Sequence, residues 1–328
     1  MEKEALLIGI DDYTHAKYPK LHGCVTDANN LSNAIRRNAD STPNFHTTVI
    51  ENCDSEEIAM EDIVSLFEPD GKKQVVLFYF AGHGNSEGNL ILKDGSKINM
   101  SSILKIVSKS NILNKIIIFD CCFAGQMAAD PFSDNSILPD GVTIMTACTS
   151  TQKAGENISG GIFTQLLVNA LNGGAADFLG HITIGGIYAY IDKLLGASKQ
   201  RPVLKTNVKS FALLKSVTPQ VPHKDILKVV DFFKLPDDKF KLDSSFEPAN
   251  TKELNKRRPS NAHEPWADPE NTKKFAILQK MNRIGLVIPY HDNPELRNNM
   301  FDAAMDGFYC ELTEAGKLCW RLVKEEII

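Results

Sequence analysis

Two apolar runs each stop at a reactive side chain: Val75-Val76-Leu77-Phe78-Tyr79-Phe80-Ala81-Gly82-His83-Gly84 and Ile116-Ile117-Ile118-Phe119-Asp120-Cys121-Cys122-Phe123-Ala124-Gly125. The first run stops at a histidine and the second at a pair of cysteines. Continuous apolar runs bounded by glycine are typical of strands that are buried on both faces of a parallel sheet. Because ligands and chemistry gather at the carboxyl ends of such strands, the two runs predict a cysteine–histidine dyad.

The pattern around these runs predicts an α/β domain over residues 1–215, with a mostly parallel sheet covered by helices. Strands are predicted at 5–10, 46–52, 74–80, 115–120, 141–147 and 202–208. Helical spacing covers 26–37, 55–67, 99–109, 162–172 and 183–195. Thr26-Asp27 and Asp54-Ser55 are candidate N-caps. A hairpin is predicted at 88–95, and residues 126–140 have the composition of a loop.

The composition excludes several classes of protein. The seven cysteines form neither a disulfide framework nor paired zinc motifs, which favours a reducing cytoplasm. No run is long enough for a signal peptide or a membrane span, so we expect a cytoplasmic protein without membrane contact. A net charge of −5 argues against nucleic acid as a partner of the whole molecule. The histidines show no metal-ligand spacing, so we expect neither metal nor cofactor, and a calcium requirement is left open.

The dyad has a simple chemical logic. An ordinary cysteine thiol, with a pKa of about 8.5, is mostly protonated at neutral pH, and a neighbouring histidine accepts that proton. The histidine then returns a proton to the leaving amine, as acyl transfer requires. Backbone N–H groups are suited to bind the oxyanion, and the amides of Gly84 and Cys122 are the candidates.

Four separated motifs resemble those of the caspase-like cysteine peptidases, and within them the metacaspases and their bacterial relatives. They occur in that family's order and spacing over residues 5–215: Leu21-His22-Gly23-Cys24-Val25-Thr26-Asp27-Ala28, Tyr79-Phe80-Ala81-Gly82-His83-Gly84, Asp120-Cys121-Cys122-Phe123-Ala124-Gly125 and Gln200-Arg201-Pro202-Val203. The resemblance implies a caspase-hemoglobinase-like fold. It also implies that Cys122, rather than Cys121, is the nucleophile and that His83 is the general base.

The sequence departs from the metacaspase pattern at two positions. Phe123 replaces a histidine after the nucleophile, which leaves the dyad intact. Ala81 replaces a serine two residues before the catalytic histidine, and we count it among the residues of the substrate pocket.

The resemblance also implies a substrate preference. Caspases that cut after aspartate have glutamine two residues before the nucleophile, whereas this chain has Asp120 there. The family's other pocket carboxylate maps onto Asp27. Two acids facing the residue before the cut imply a preference for arginine, then lysine. The simpler alternatives are that Asp27 is a helix N-cap and that Asp120 is a strand-end turn former.

The C-terminal part has a different pattern. Residues 216–270 are predicted to be a helical or irregular connector. Residues 271–328 resemble a winged-helix fold: an amphipathic helix runs into Gly285-Leu286-Val287-Ile288-Pro289, and a Leu-Thr-Glu-x-Gly strand end precedes the last helix. Such a domain binds DNA, docks a protein or holds a small molecule. Residues 216–328 carry 17 Lys and Arg against 18 Asp and Glu, which does not favour DNA.

The sequence therefore predicts a caspase-like endopeptidase of protein substrates, latent until its C-terminal region senses a signal. Its architecture resembles bacterial caspase-like effectors of anti-phage defence and cell death, including a class of Thoeris system switched on by a nucleotide. A small molecule or nucleotide is accordingly the candidate activator. The alternatives are a non-catalytic, caspase-derived adaptor and a DNA-binding regulator. The basic run Lys256-Arg257-Arg258 is either a solvated surface or a self-cleavage site.

Overall fold

A computed structural model describes residues 2–121, 138–147, 156–157, 160–196, 202–257, 262–297 and 299–328. The chain divides into two compact units, Met1–Thr218 and Pro219–Ile328. Within the described residues, no helix has the length and apolar character needed to span a membrane.

The first unit is built on a six-stranded sheet in the order β11-β7-β6-β3-β1-β2. All neighbouring strands pair in parallel except β11, which pairs with β7 in the antiparallel direction. The six strands are β1 (Glu2–Gly9), β2 (Phe45–Glu51), β3 (Lys73–Gly82), β6 (Asn114–Cys121), β7 (Val142–Thr146) and β11 (Val203–Asn207). The described residues of this unit also form three two-stranded sheets: β4 (Asn89–Ile91) with β5 (Lys97–Asn99), β8 (Glu156–Asn157) with β9 (Gly160–Gly161), and β10 (His181–Thr183) with β12 (Leu213–Ser216).

Helices cover both faces of the central sheet, because the central strands are apolar on both sides. One face packs against α2 (Glu56–Phe67) and α3 (Met100–Lys109), with Phe78, Phe80 and Phe119 in its core. The other face packs against three helices and contains Tyr79 and Phe163. These helices are α1 (Cys24–Ile35), α4 (Ile162–Asn169), which runs into a π-helical turn at Ala170–Gly174, and α5 (Ile184–Leu195).

The predicted fold class is confirmed, and all six predicted strands belong to the central sheet. The start of α1 differs from the prediction. Gly23, rather than Thr26 or Asp27, is the N-cap, and Asp27 lies inside the first turn. The carboxylate of Asp11 accepts hydrogen bonds from the N–H groups of Cys24 and Val25, so a residue from outside the helix binds its free amides.

The second unit contains a three-stranded antiparallel sheet in the order β13-β15-β14. Its strands are β13 (Lys239–Lys241), β14 (Val287–Tyr290) and β15 (Tyr309–Leu312). Its helices are α6 (His223–Ile226), α7 (Val229–Phe232), α8 (Lys252–Arg257), α9 (Pro269–Arg283), α10 (Met300–Met305) and α11 (Glu314–Lys324), with a 3₁₀ turn at Ser244–Phe246.

The sequence predicts a connector over 216–270, whereas the structure places 219–328 in one unit. Within it, β13 pairs with β15 and the side chain of Phe240 contacts Phe246 and Phe232. The polar, proline-rich composition of this stretch gave no signal that it contributes a strand to the sheet. The resemblance of residues 271–328 to a winged helix stays a prediction.

Candidate active site

The two apolar runs form β3 and β6, which are neighbours at the centre of the sheet. Their register pairs Ala81 with Asp120 and Gly82 with Cys121. In the sequence, His83 comes directly after Gly82 and Cys122 comes directly after Cys121. Cys122 itself, like residues 126–137 of the predicted loop, lies outside the described residues. Cys121 is 1% exposed and packs in the core on the α2 and α3 side.

The imidazole of His83 is oriented by the loop after β1. Its Nε2 lies 2.8 Å from the carbonyl oxygen of Pro19. A carbonyl oxygen only accepts hydrogen bonds, so in this contact Nε2 carries the proton. Nδ1 of the neutral ring is then the nitrogen with a lone pair. This tautomer is the one in which His83 can take a proton through Nδ1.

Tyr13, from the same loop, fixes the backbone of His83. Its hydroxyl oxygen accepts a hydrogen bond of 2.8 Å from the His83 N–H, and the two rings lie 4.7 Å apart. A side chain at Gly82 would prevent this contact, since a Cβ there would lie 2.7 Å from the Tyr13 hydroxyl. Burial raises the pKa of Tyr13, so its hydroxyl stays neutral.

Asp27 and Asp120 come together on the α1 side of the sheet. Asp27 is 2% exposed and Asp120 8% exposed. The N–H of Gly161 donates to Oδ2 of Asp27 at 2.7 Å. A Cβ on Gly161 would lie 2.8 Å from Oδ2 of Asp120 and 3.3 Å from Oδ2 of Asp27, so both carboxylates converge on one point of the backbone. Asp27 is thus not the N-cap of α1, since its carboxylate faces residues from another part of the chain.

Asp120 also binds a hydroxyl from α4. Thr164 Oγ1 donates to Oδ2 of Asp120 at 2.7 Å, and the hydroxyl of Tyr79 lies 2.7 Å from Thr164 Oγ1. The two buried acids therefore have hydrogen-bond donors, without which charged groups at this depth would be strongly disfavoured.

The two remaining predicted residues flank this region. Ala81 is 1% exposed and lies beside Asp120 in the register of β3 and β6. Gly84 forms an isolated antiparallel bridge with Leu90. The backbone bonds on either side of it join Ile91 N–H to His83 O and Asn85 N–H to Asn89 O. Gly84 is therefore in a non-hydrogen-bonded pair, and its N–H points away from Leu90.

Among the described residues, one group of acids could hold a metal ion: Glu2, Glu4 and Asp70. These side chains lie where β1 begins and just before β3 begins, at the opposite end of the sheet from His83. They form an exposed acidic cluster rather than part of the site.

Sequence reasoning missed Tyr13, Pro19, Gly161 and Thr164. Tyr13 and Pro19 follow β1 at the carboxyl edge of the sheet, which is the one signal that could have suggested them. Gly161 and Thr164 lie at the start of α4, in a segment with no motif of its own. Their roles follow from contacts between residues far apart in the chain.

A parallel sheet with histidine and cysteine at neighbouring strand ends, and two carboxylates beside them, defines a caspase-like α/β domain. The sequence model of a peptidase family, described as "Caspase domain", matches residues 2–211. The chain belongs to this family. Caspase-1 from Spodoptera frugiperda has a similar fold, with a TM-score of 0.54 at 15% identity over 66% of this chain and 90% of its own.

A second similar structure is that of GSU0716 from Geobacter sulfurreducens, with a TM-score of 0.50 at 15% identity. The similarity covers 66% of this chain and 98% of that protein. At these identities the likeness shows the fold alone. No curated protein shows significant similarity to the chain.

Proposed function

We propose that this caspase-family chain is a cysteine endopeptidase that cuts proteins after basic residues, arginine before lysine. Cys122 is its nucleophile and His83 its general base. The observation that carries the proposal is the convergence of Asp27 and Asp120 beside the paired ends of β3 and β6.

The proposed reaction uses the nitrogen of His83 that Pro19 leaves available. Nδ1 takes the thiol proton of Cys122, and the thiolate sulfur attacks the carbonyl carbon of the scissile bond. The amides of Gly84 and Cys122 bind the oxyanion, and the orientation of the Gly84 N–H away from Leu90 supports this role. The C–N bond breaks as the imidazolium returns its proton to the amine. Water then hydrolyses the thioester with His83 again as base.

The specificity follows from charge. Two buried carboxylates are costly together unless cations or hydrogen-bond donors compensate them. A guanidinium satisfies both with charge-assisted hydrogen bonds, each worth about 1.5–3 kcal/mol. Lysine has a single ammonium and matches this geometry less well. Ala81, next to Asp120, adds no polar group to this pocket.

We further propose that the chain is latent and acts as an effector of bacterial defence or cell death. The Gly161 N–H already donates to Oδ2 of Asp27, and both carboxylates are buried. A guanidinium can therefore reach them only if the backbone at Gly161 moves. Self-cleavage behind the nucleophile has no suitable site, because residues 126–140 contain no lysine or arginine and the first basic residue after Cys122 is Lys153. The second unit is the proposed sensor, with a small molecule or nucleotide as its ligand.

The test is to follow cleavage of an arginine peptide by the full-length protein before and after adding extract from signalling cells. The length of the chain is checked on gels in parallel. We expect no activity alone, activity with extract and an intact chain, and no activity from Cys122→Ala. Full activity of the protein alone, or activity that appears only with a cut between residues 122 and 153, would refute latency through a ligand.

A further inference from the structure

Behind the carboxylate pair lies a chain of two buried hydroxyls. The hydroxyl of Tyr79, on β3, lies 2.7 Å from Oγ1 of Thr164, on α4. Oγ1 of Thr164 in turn lies 2.7 Å from Oδ2 of Asp120, on β6. Tyr79 is fully buried and Thr164 is 1% exposed. Three separate elements thus bring these groups together where solvent does not reach.

The direction of the two hydrogen bonds can be assigned. An ionised carboxylate only accepts, so the single proton of the Thr164 hydroxyl points to Asp120. Tyr79 must then donate its own proton to Oγ1 of Thr164. Burial raises the pKa of Tyr79 well above its usual value, and the negative charges of Asp120 and Asp27 add to this effect. The phenol therefore stays protonated and remains a donor.

Donors aligned in this way strengthen each other, because each bond polarises the next. The Thr164 hydroxyl stabilises the ionised form of Asp120, as the Gly161 N–H does for Asp27. It also fixes the direction in which the carboxylate plane faces. Both effects matter for a substrate that is recognised by its positive charge and its geometry, and neither matters for the proton transfers at His83.

We propose that Thr164, supported by Tyr79, is a positioning residue that makes Asp120 selective for a cationic side chain. This inference rests on the proposed cleavage after basic residues. Thr164 acts through Asp120 and does not touch the reacting atoms. Its removal lowers selectivity for arginine without a matching loss for a neutral side chain of the same shape.

The experiment compares two peptides that differ only in arginine or citrulline before the cut. Citrulline keeps the planar shape of arginine and lacks its charge. The enzymes are wild type, Thr164→Val, Thr164→Ser and Tyr79→Phe. All are full-length and are assayed under conditions in which the wild type is active. Thr164→Val keeps the shape of threonine and removes the hydroxyl, while Thr164→Ser keeps the hydroxyl. Thermal unfolding shows whether each variant is folded.

We expect Thr164→Val to lower kcat/KM for the arginine peptide about tenfold or more, since a hydrogen bond to a charged group is lost. The loss appears mainly in KM, and the citrulline reaction changes little. Thr164→Ser keeps most of the selectivity, and Tyr79→Phe shows a smaller loss of the same kind. Should Thr164→Val reduce both reactions equally, or leave the arginine reaction unchanged, the inference is wrong.

The wild type reports separately on the proposed function. If it cleaves both peptides equally, the proposed basic specificity itself fails. If it prefers arginine and Thr164→Val keeps the full preference, only the positioning role fails. Tyr79→Phe serves as the second variant if Thr164→Val does not fold, because phenylalanine fills the same space in the core.

Discussion

Gly82 of β3 and Cys121 of β6 are register partners in neighbouring parallel strands. His83 and Cys122, the two proposed catalytic residues, come next in the sequence after these partners. Successive side chains of a strand point to opposite faces, and the side chain of Cys121 is in the core. The sulfur of Cys121 is thus buried and unsuited to act as the nucleophile.

We therefore predict that Cys122→Ala abolishes proteolysis and that Cys121→Ala retains it. Cys121→Ala removes one buried atom and lowers the free energy of unfolding by about 1 kcal/mol. Turnover of an arginine peptide by both variants is the measurement, with alkylation by an arginine chloromethyl ketone and peptide mass spectrometry to locate the reactive sulfur. Activity that survives in Cys122→Ala would place the nucleophile elsewhere.

Tyr13→Phe should lower kcat about tenfold with little change in KM, because the His83 N–H loses its acceptor while the ring remains. Since the raised pKa of Tyr13 keeps it neutral, the ratio of wild-type to variant kcat should be constant between about pH 6 and 9. Tyr188→Phe, on α5, is the matched control and should have wild-type kcat. An unchanged kcat in Tyr13→Phe would show that Tyr13 does not position His83.

Asp120→Asn and Asp27→Asn should each lower kcat/KM for arginine peptides about 100-fold or more, because each removes a charge from the pocket and keeps its shape. The same variants should discriminate much less between arginine and citrulline than the wild type does. Asp140→Asn changes a carboxylate near the start of β7 and should behave as wild type. If both pocket variants cleaved arginine peptides with the kcat/KM of the wild type, neither carboxylate would determine the specificity.

Gly161→Ala should raise activity in the absence of any signal, by about tenfold. The backbone of Gly161, with φ −68° and ψ 135°, accepts alanine, so the effect comes from the new methyl group alone. That group would meet Asp120 and Asp27 in the arrangement seen here and destabilise it by about 1–3 kcal/mol. The double variant with Cys122→Ala is the control for contaminating protease. Unchanged activity without a signal, together with unchanged thermal stability, would contradict the proposal that the backbone at Gly161 keeps a guanidinium from the two carboxylates.

Much of the fold was predictable because its signals are local. The central strands are continuous apolar runs, and His83 and Asp120 lie at or beside the ends of two of them. The contacts that complete the site are not local. Tyr13 and His83 are 70 positions apart, and Thr164 and Asp120 are 44 apart. No periodicity or turn signal encodes such pairs, because they depend on how α4 and the loop after β1 pack on the sheet.

The start of α1 shows the same limit. Thr26 and Asp27 have the composition of an N-cap, yet the helix begins earlier because Asp11 binds its first amides. Asp27 is then directed toward Gly161 and Asp120. The contact with Asp11 thus outweighs the preference of threonine and aspartate for the N-cap position. Asp27 lies inside the helix instead, where it is one acid of the proposed pocket.

Mapping the cleavage sites in a proteome tests the proposed activity on natural sequences. Proteins from cells would be incubated with the activated full-length enzyme and with Cys122→Ala, and the new amino termini identified by mass spectrometry. We expect termini that depend on Cys122, with arginine first and lysine second before the cut. Termini dominated by aspartate before the cut, or equal in the two samples, would contradict the assignment of Asp27, Asp120 and Cys122.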